Sequence, residues 1–195
     1  MAVAKTRNKL IEVARMLFAK NGIEETTMND IAVASGKGRR TLYTYFKSKD
    51  DIYDAVVQDE LELMALKMAE VAKQEMDPED KLVSLIYAHL NAIKEVVQRN
   101  GNIRAEFFRD IWRVSLIRQR FDHNEKKLLA AVLTEGIEKG KFEVEDLSLM
   151  VDIIHYSVRG MEVPFIYDRI ANGMPKGIIR GVVQRIIHRS LSKAK

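Results

Sequence analysis

The sequence predicts an all-α chain, and three observations carry that prediction. Apolar residues recur at three- and four-residue spacing along most of the length. Stops made of Gly, Pro, Asn and Ser fall at helix-length intervals, and no segment shows the strict alternation of a half-buried strand. Counting periodic segments between stops yields nine helices, with 141–145 as the one place for a short extended piece.

The elements follow in order. Helix 1 spans roughly 6–20, with Leu10, Ile11, Ala14, Leu17 and Phe18 as its buried stripe and Asn21-Gly22 as its stop. Thr27, with Asp30 three positions on, opens the second helix in a capping-box arrangement, and Ile31, Ala32 and Ala34 give it a small apolar face. Ser35-Gly36 ends it. Gly36 supplies the positive φ that a steep turn between helices needs, and Gly38 loosens the entry to a third helix over roughly 39–47. On that helix Leu42 and Phe46, one turn apart, face the core, which leaves Arg39, Arg40, Thr41, Tyr43, Thr44 and Tyr45 on or near the surface.

Ser48 then caps a long fourth helix with Asp50 and Asp51 in its first turn and Ile52, Ala55, Val56, Leu63, Leu66, Ala69 and Val71 as its inner face. Asp77-Pro78-Glu79-Asp80 starts the fifth, which runs to about Arg99 before Asn100-Gly101. Four more follow at about 103–119, 122–139, 145–170 and 175–192. The last carries a continuous apolar stripe of Ile178, Ile179, Val182, Val183, Ile186, Ile187 and Leu191, and Gly177 and Gly181 admit a close helical neighbour.

Composition narrows the function classes. At 195 residues, 47% apolar and 31% charged, the chain is an ordinary globular one. The absence of cysteine excludes disulfides, a thiolate nucleophile and cysteine metal ligation, and suits a reducing compartment. The N-terminus has no signal-peptide core and no apolar run approaches the ~20 residues of a membrane span, so a cytoplasmic location without a membrane partner is expected. Charge is unevenly placed. Of 32 basic and 28 acidic residues, ten and four lie in residues 1–49, leaving 22 and 24 for residues 50–195. The positive field therefore sits on the segment with two short helices and a glycine turn. Exposed arginines beside exposed tyrosines there suit a groove lined by phosphates and base edges, which points to double-stranded DNA.

The run Phe18-Ala-Lys-Asn-Gly22, then Thr26-Thr27, Asp30-Ile31-Ala32, Gly36, Thr41-Leu42-Tyr43-Thr44-Tyr45-Phe46 and Lys49 resembles the DNA-binding domain of the TetR family of bacterial transcriptional regulators. It covers about a quarter of the chain. The resemblance implies an all-helical homodimer. Residues 1–49 form the helix-turn-helix DNA-binding domain, and the six helices of residues 50–195 receive an effector and dimerise. The last two helices pair with their copies as a four-helix bundle, placing Ile178, Ile179, Val182, Val183, Ile186 and Ile187 at the dimer interface. Two departures stand out: Lys37 and Gly38 replace the family's usual apolar residue and capping serine, and Arg40 replaces a small residue. Within the DNA-binding set of Thr27, Lys37, Arg39, Arg40, Thr41, Tyr43, Thr44, Tyr45, Lys47 and Lys49, we assign Arg39, Arg40 and Thr44 to base edges. Thr27, Tyr43, Tyr45, Lys47 and Lys49 go to phosphates, as the matching family positions do.

The effector is the least legible part. Tyr87, His89, Phe108, Trp112 and Tyr156 are the candidate ligand contacts, together with Leu116, Met150, Ile154 and Val158, as an apolar cavity with a few polar handles. No hydrolase elbow, phosphate loop, zinc-protease pair or dinucleotide fingerprint is present. Four scattered histidines predict no metal site, and Glu106 with Asp110 is the best carboxylate pair found. No catalytic residue and no cofactor are expected. The sequence thus reads as a ligand-responsive repressor of a palindromic operator, released by an unidentified small apolar or amphipathic effector. The alternative is a DNA-binding dimer controlled by a protein partner, or constitutive, with a filled interior.

Overall fold

The structure, a computed structural model, describes residues 2–99, 111–170 and 176–192, and among these residues every regular element is a helix. There are eight: α1 (Ala2–Asn21), α2 (Met28–Ser35), α3 (Arg39–Tyr45), α4 (Lys49–Ala72), α5 (Pro78–Arg99), α6 (Ile111–Glu138), α7 (Leu147–Ile166) and α8 (Lys176–Leu191). None of the described helices is long and apolar enough to cross a membrane. The chain divides into two compact units, one of Met1–Glu62 with Val96–Gln119, the other of Leu63–Glu95 with Arg120–Lys195.

In the first unit α1 packs on α2 and α2 on α3. Leu10, Ile11, Ala14, Phe18, Ile31, Leu42, Phe46, Ile52 and Val56 are among its buried apolar residues. Leu17 is only half-buried, and Ala34 lies exposed, its place on the inner side of α2 taken by Ser35, whose hydroxyl donates to the Ala32 carbonyl. Beneath this core, buried Arg15 of α1 pairs with Glu12, Asp59 and Glu60, and Arg99 at the end of α5 also pairs with Glu60.

The inner face of α4 differs from the expected one. Ile52, Ala55 and Val56 are buried, but Leu63 and Leu66 are exposed, and burial continues instead through Val57, Glu60, Leu61, Met64 and Met68. A carboxylate at position 60 reads as a surface residue, which pushes a sequence-based stripe off register. Ion pairing to Arg15 and Arg99 is what lets Glu60 stay inside.

α6, whose residues 111–119 fall in the first unit and the rest in the second, runs unbroken where two helices with a break near 120 were expected. No Gly or Pro occurs between 111 and 135 to stop it, and Arg118, Phe121, Glu125, Leu129, Val132 and Gly136 keep one continuous buried face. The start of the expected 103–119 helix lies outside the described residues. Two residues past the end of α6, Gly140 takes the left-handed region at φ 67° and turns the chain away. Residues 141–145 form no strand; the Glu143 N–H donates instead to the Leu191 carbonyl at 2.7 Å, joining this loop to the end of α8. A Cβ on Gly136 would lie 2.0 Å from the Phe142 ring, so the ring occupies the space that the glycine leaves. Asp146 caps α7, accepting from the Leu149 N–H at 2.9 Å. α7 runs through Pro164 and closes at Ile166, short of the expected 170: Asp168 takes the left-handed region at φ 51° and the Arg169 N–H donates back to the Pro164 carbonyl at 2.8 Å.

The rotation of α8 about its own axis is set by a polar row. Arg180 donates to Ser84 at 3.0 Å, Gln184 to Asp80 at 2.9 Å, and His188 meets Glu79 at 2.9 Å, three successive turns against α5. Ile187 and Leu191 are buried on the same side.

Candidate nucleic-acid interface

The interface is built from α2, its turn and α3. Thr27 accepts from the Asp30 N–H at 3.1 Å while the Thr27 N–H donates to Asp30 Oδ2 at 2.9 Å, a complete capping box. The Thr27 hydroxyl also donates to that carboxylate, and these bonds hold Asp30 below its ordinary pKa. Gly36 sits at φ 65°, ψ 30°, the left-handed conformation that turns the chain from α2 toward α3. Gly38 then caps α3 through extended backbone without a side chain.

On α3, Leu42 and Phe46 point inward as expected. Arg39, Arg40, Tyr43 and Thr44 are exposed, and Thr41 and Tyr45 half-buried. The Thr44 hydroxyl donates to the Arg40 carbonyl at 2.9 Å, so toward a base it offers its acceptor lone pairs. Lys47 is exposed beyond the end of α3, and Lys37 is half-exposed in the turn. Arg7 of α1 lies over the Phe46 ring at 5.4 Å, seating the residue that closes the helix. Val33, absent from the expected set, projects outward from α2 as an apolar contact surface.

Lys49 is already occupied. Its ammonium donates to the carbonyls of Ile23 at 2.6 Å and Glu24 at 3.1 Å, so it pins the α1–α2 turn to the start of α4 and has one N–H left for a phosphate. Partners 25 and 26 residues away leave no local sequence signal. Arg15 is likewise buried among acids and adds nothing to the outward field.

The candidate ligand contacts do not converge. His89 is fully buried and Tyr87 half-buried under Arg180, but Tyr156 is 58% exposed and Leu116 69% exposed, so neither of the latter lines an interior. Tyr156 instead lies beneath Lys126. Phe108 and the Glu106–Asp110 pair fall outside the described residues, as does the side chain of Trp112.

What surrounds His89 is an ionisable cluster that sequence reasoning missed. Its Nδ1 lies 2.5 Å from Glu125 Oε1 and its Nε2 2.8 Å from Glu162 Oε1. His155 Nδ1 lies 2.7 Å from the second Glu125 oxygen, and Asp122 pairs with Arg159 at 3.1 Å. Burial alone would pull the His89 pKa down; the hydrogen bonds to Glu125 and Glu162 outweigh it and push it up to about 9. Burial would likewise raise that of Glu125, but the two imidazoles bring it down to about 2. Asp122 and Glu125, i and i+3 on α6, were the visible half of this signal.

The residues expected at a dimer interface split by face. Ile178, Val182 and Ile186 are exposed on α8, Ile179 and Val183 are half-buried, and Ile187 is packed within its own chain. α7 adds a second row, Leu149, Ile153, Tyr156 and Val163, exposed at spacings of four, three and seven with Gly160 open between the last two.

Comparison with known proteins agrees with this geometry. Residues 10–56 match the model for bacterial regulatory proteins, tetR family. The HTH-type transcriptional repressor KstR2 of Mycolicibacterium smegmatis is 27% identical over 161 residues, covering 80% of this chain and 75% of the relative. The fatty acid metabolism regulator protein of Bacillus subtilis is 25% identical over 147 residues, 69% and 70% of the two chains. Among solved structures, ketosteroid transcriptional regulator KstR2 of Mycobacterium tuberculosis superposes with TM-score 0.58 at 24% identity over 96% and 95% of the two chains. The fatty acid degradation regulator FadR of Bacillus halodurans reaches 0.68 at 21% identity over 93% of each. The capped α2, the left-handed glycine turn and the exposed basic face of α3 thus have their counterpart in a family model over the same residues, and this segment is similar to the DNA-binding part of bacterial regulatory proteins of the tetR family, as the chain at large is to transcriptional repressors.

Proposed function

We propose that this chain is a homodimeric cytoplasmic repressor that binds a palindromic operator and is released by a small apolar or amphipathic effector. Residues 1–49 bind DNA, and residues 50–195 receive the effector and dimerise. The observation that carries the reading is the pairing of Arg39 and Arg40 with Tyr43 on the exposed face of a seven-residue helix held by a capped neighbour. Arg39, Arg40 and Thr44 read base edges in the major groove; Thr27, Lys37, Thr41, Tyr43, Tyr45 and Lys47 hold phosphates, while Lys49, bonded to the Ile23 and Glu24 carbonyls, holds the α1–α2 turn in place for them. Two-fold operator symmetry needs two copies, and the open apolar rows of α7 and α8 are the surface on which they would meet.

Release follows from linkage. An effector that binds better to the dimer whose recognition helices are wrongly spaced for successive major grooves, about 34 Å apart, lowers operator affinity without touching DNA. Relatives named for ketosteroid regulation and fatty acid metabolism support an effector from lipid breakdown. The second reading, control by a protein partner or none, draws on the tight packing of His89, Leu90 and Val158.

Selection of bound sequences from a random DNA pool tests the core of the proposal. A two-fold symmetric motif supplies the probe for displacement by fatty acyl and steroid acids; unselective binding alone overturns the sequence-specific reading.

A further inference from the structure

We propose that Asp122, Glu125 and His155 form a site for a divalent transition-metal ion, in which His89 and Glu162 orient the Glu125 carboxylate. One ligand atom from each of the three residues lies within 4.8 Å of the other two. They come from two helices, two turns of α6 and the middle of α7, so an ion would tie α6 to α7 inside the second unit. Glu125 and His155 are buried and Asp122 is half-buried.

The chemistry of the donors fits. One imidazole and two carboxylates are the nitrogen and oxygen ligands that Zn²⁺, Co²⁺ and Ni²⁺ take in the absence of thiolate, and three protein donors leave a further position for water. Each donor also has a partner of its own. Arg159 engages Asp122 at 3.1 Å, and His89, itself hydrogen-bonded to Glu162, engages the Glu125 oxygen that does not face His155. Outer groups of this kind fix ligand orientation in metal sites.

A purely structural account explains the cluster less well. A helical core has no need of two histidines and two glutamates at one point, since apolar side chains of equal volume serve stability as well or better. Ion entry requires His155 and Glu125, now 2.7 Å apart, to part to about 3.3 Å, the edge of a tetrahedron with ~2.0 Å bonds, while donors further apart close to the same edge; His155 ligates as neutral imidazole with its one proton on Nε2, and any second ring proton leaves to solvent. Neither DNA binding nor an organic effector enters the proposal, so it stands or falls separately from the regulatory reading.

The test uses the untagged full chain, stripped with chelator and titrated with Zn²⁺ and, for its visible spectrum, Co²⁺. The expected result is one ion per chain, a rise in unfolding temperature and Co²⁺ absorption bands that saturate at the same ratio. Asp122→Asn, nearly isosteric, should weaken affinity at least about tenfold while the helical circular dichroism stays unchanged. Replacing the exposed His123 and His188 by Ala should change nothing. Equal affinity in Asp122→Asn, loss of binding in the His123/His188 variant, or no ion bound at all overturns the site.

Discussion

At position 27 one hydroxyl decides where α2 begins, and through it how α3 is presented. Thr27→Ala removes the cap and is expected to cost about 1 kcal/mol in thermal unfolding, with operator affinity falling alike on all sequences. The cap also has a pH signature. Asp30 is held below its unfolded pKa by bonds to Thr27, so its contribution is complete above the unfolded value and fades as pH falls through the folded one. Wild type and Asp30→Asn are therefore expected to differ in unfolding temperature at neutral pH and to converge in acid. Divergence on acidification would assign the cap another cause.

Arg40 and Lys49 separate the two kinds of contact. Arg40→Ala should cost ~1–3 kcal/mol and relax preference at one base pair per half-site. Lys49→Ala, because its ammonium is bonded to Ile23 and Glu24, is expected to lower the unfolding temperature along with affinity and to leave the salt slope nearly unchanged. A full unit lost from the slope would return Lys49 to the phosphates. The contrast also marks what a sequence can show. The capping box lies within three residues and is legible by eye, whereas Lys49 finds its carbonyls 25 and 26 residues back and His89 finds Glu125 and Glu162 at separations of 36 and 73.

At the scale of elements, helix periodicity was legible wherever the buried residues were apolar. α2, α3 and α5 begin and end close to their sequence signals because each carries a local stop or cap, and α1 ends at its Asn21-Gly22 stop but begins at Ala2, four residues before the expected start. α4 went off register at Glu60, and α6 gained a break, because a charged residue inside a buried stripe looks from the sequence like the solvent side. The open rows of α7 and α8 were harder still. Tyr156 reads as an interior aromatic, yet it belongs to the outward row with Leu149 and Ile153. Val182→Glu with Ile186→Glu is expected to yield monomers in light scattering at micromolar protein, and Ile153→Glu to weaken the dimer in the same direction. A persistent dimer in both would place the interface elsewhere.

For the whole molecule, charge placement is the property most plainly written in the chain. The basic surplus of residues 1–49 is thinned by folding, since Arg15 is spent on Asp59 and Glu60 and Lys49 on carbonyls. Lys5, Arg7, Lys9 and Lys20 remain exposed on α1, and Lys37, Arg39, Arg40 and Lys47 remain in the turn, on α3 and just beyond it, where the proposed dimer would bring eight of these latter cations to DNA. The slope of log affinity against log salt should accordingly be no steeper than about −7, and shallower where arginines read bases. A slope well beyond that would require cations outside α2 and α3.

Gly136 and Phe142 behave as a single inherited character. The ring fills the space that a Cβ would need, so neither position is free to drift alone. A lineage that enlarges residue 136 must first shrink residue 142, and the reverse order is open only while the glycine persists. Aligned relatives should thus fall into two groups, glycine with an aromatic or a larger residue with a small one.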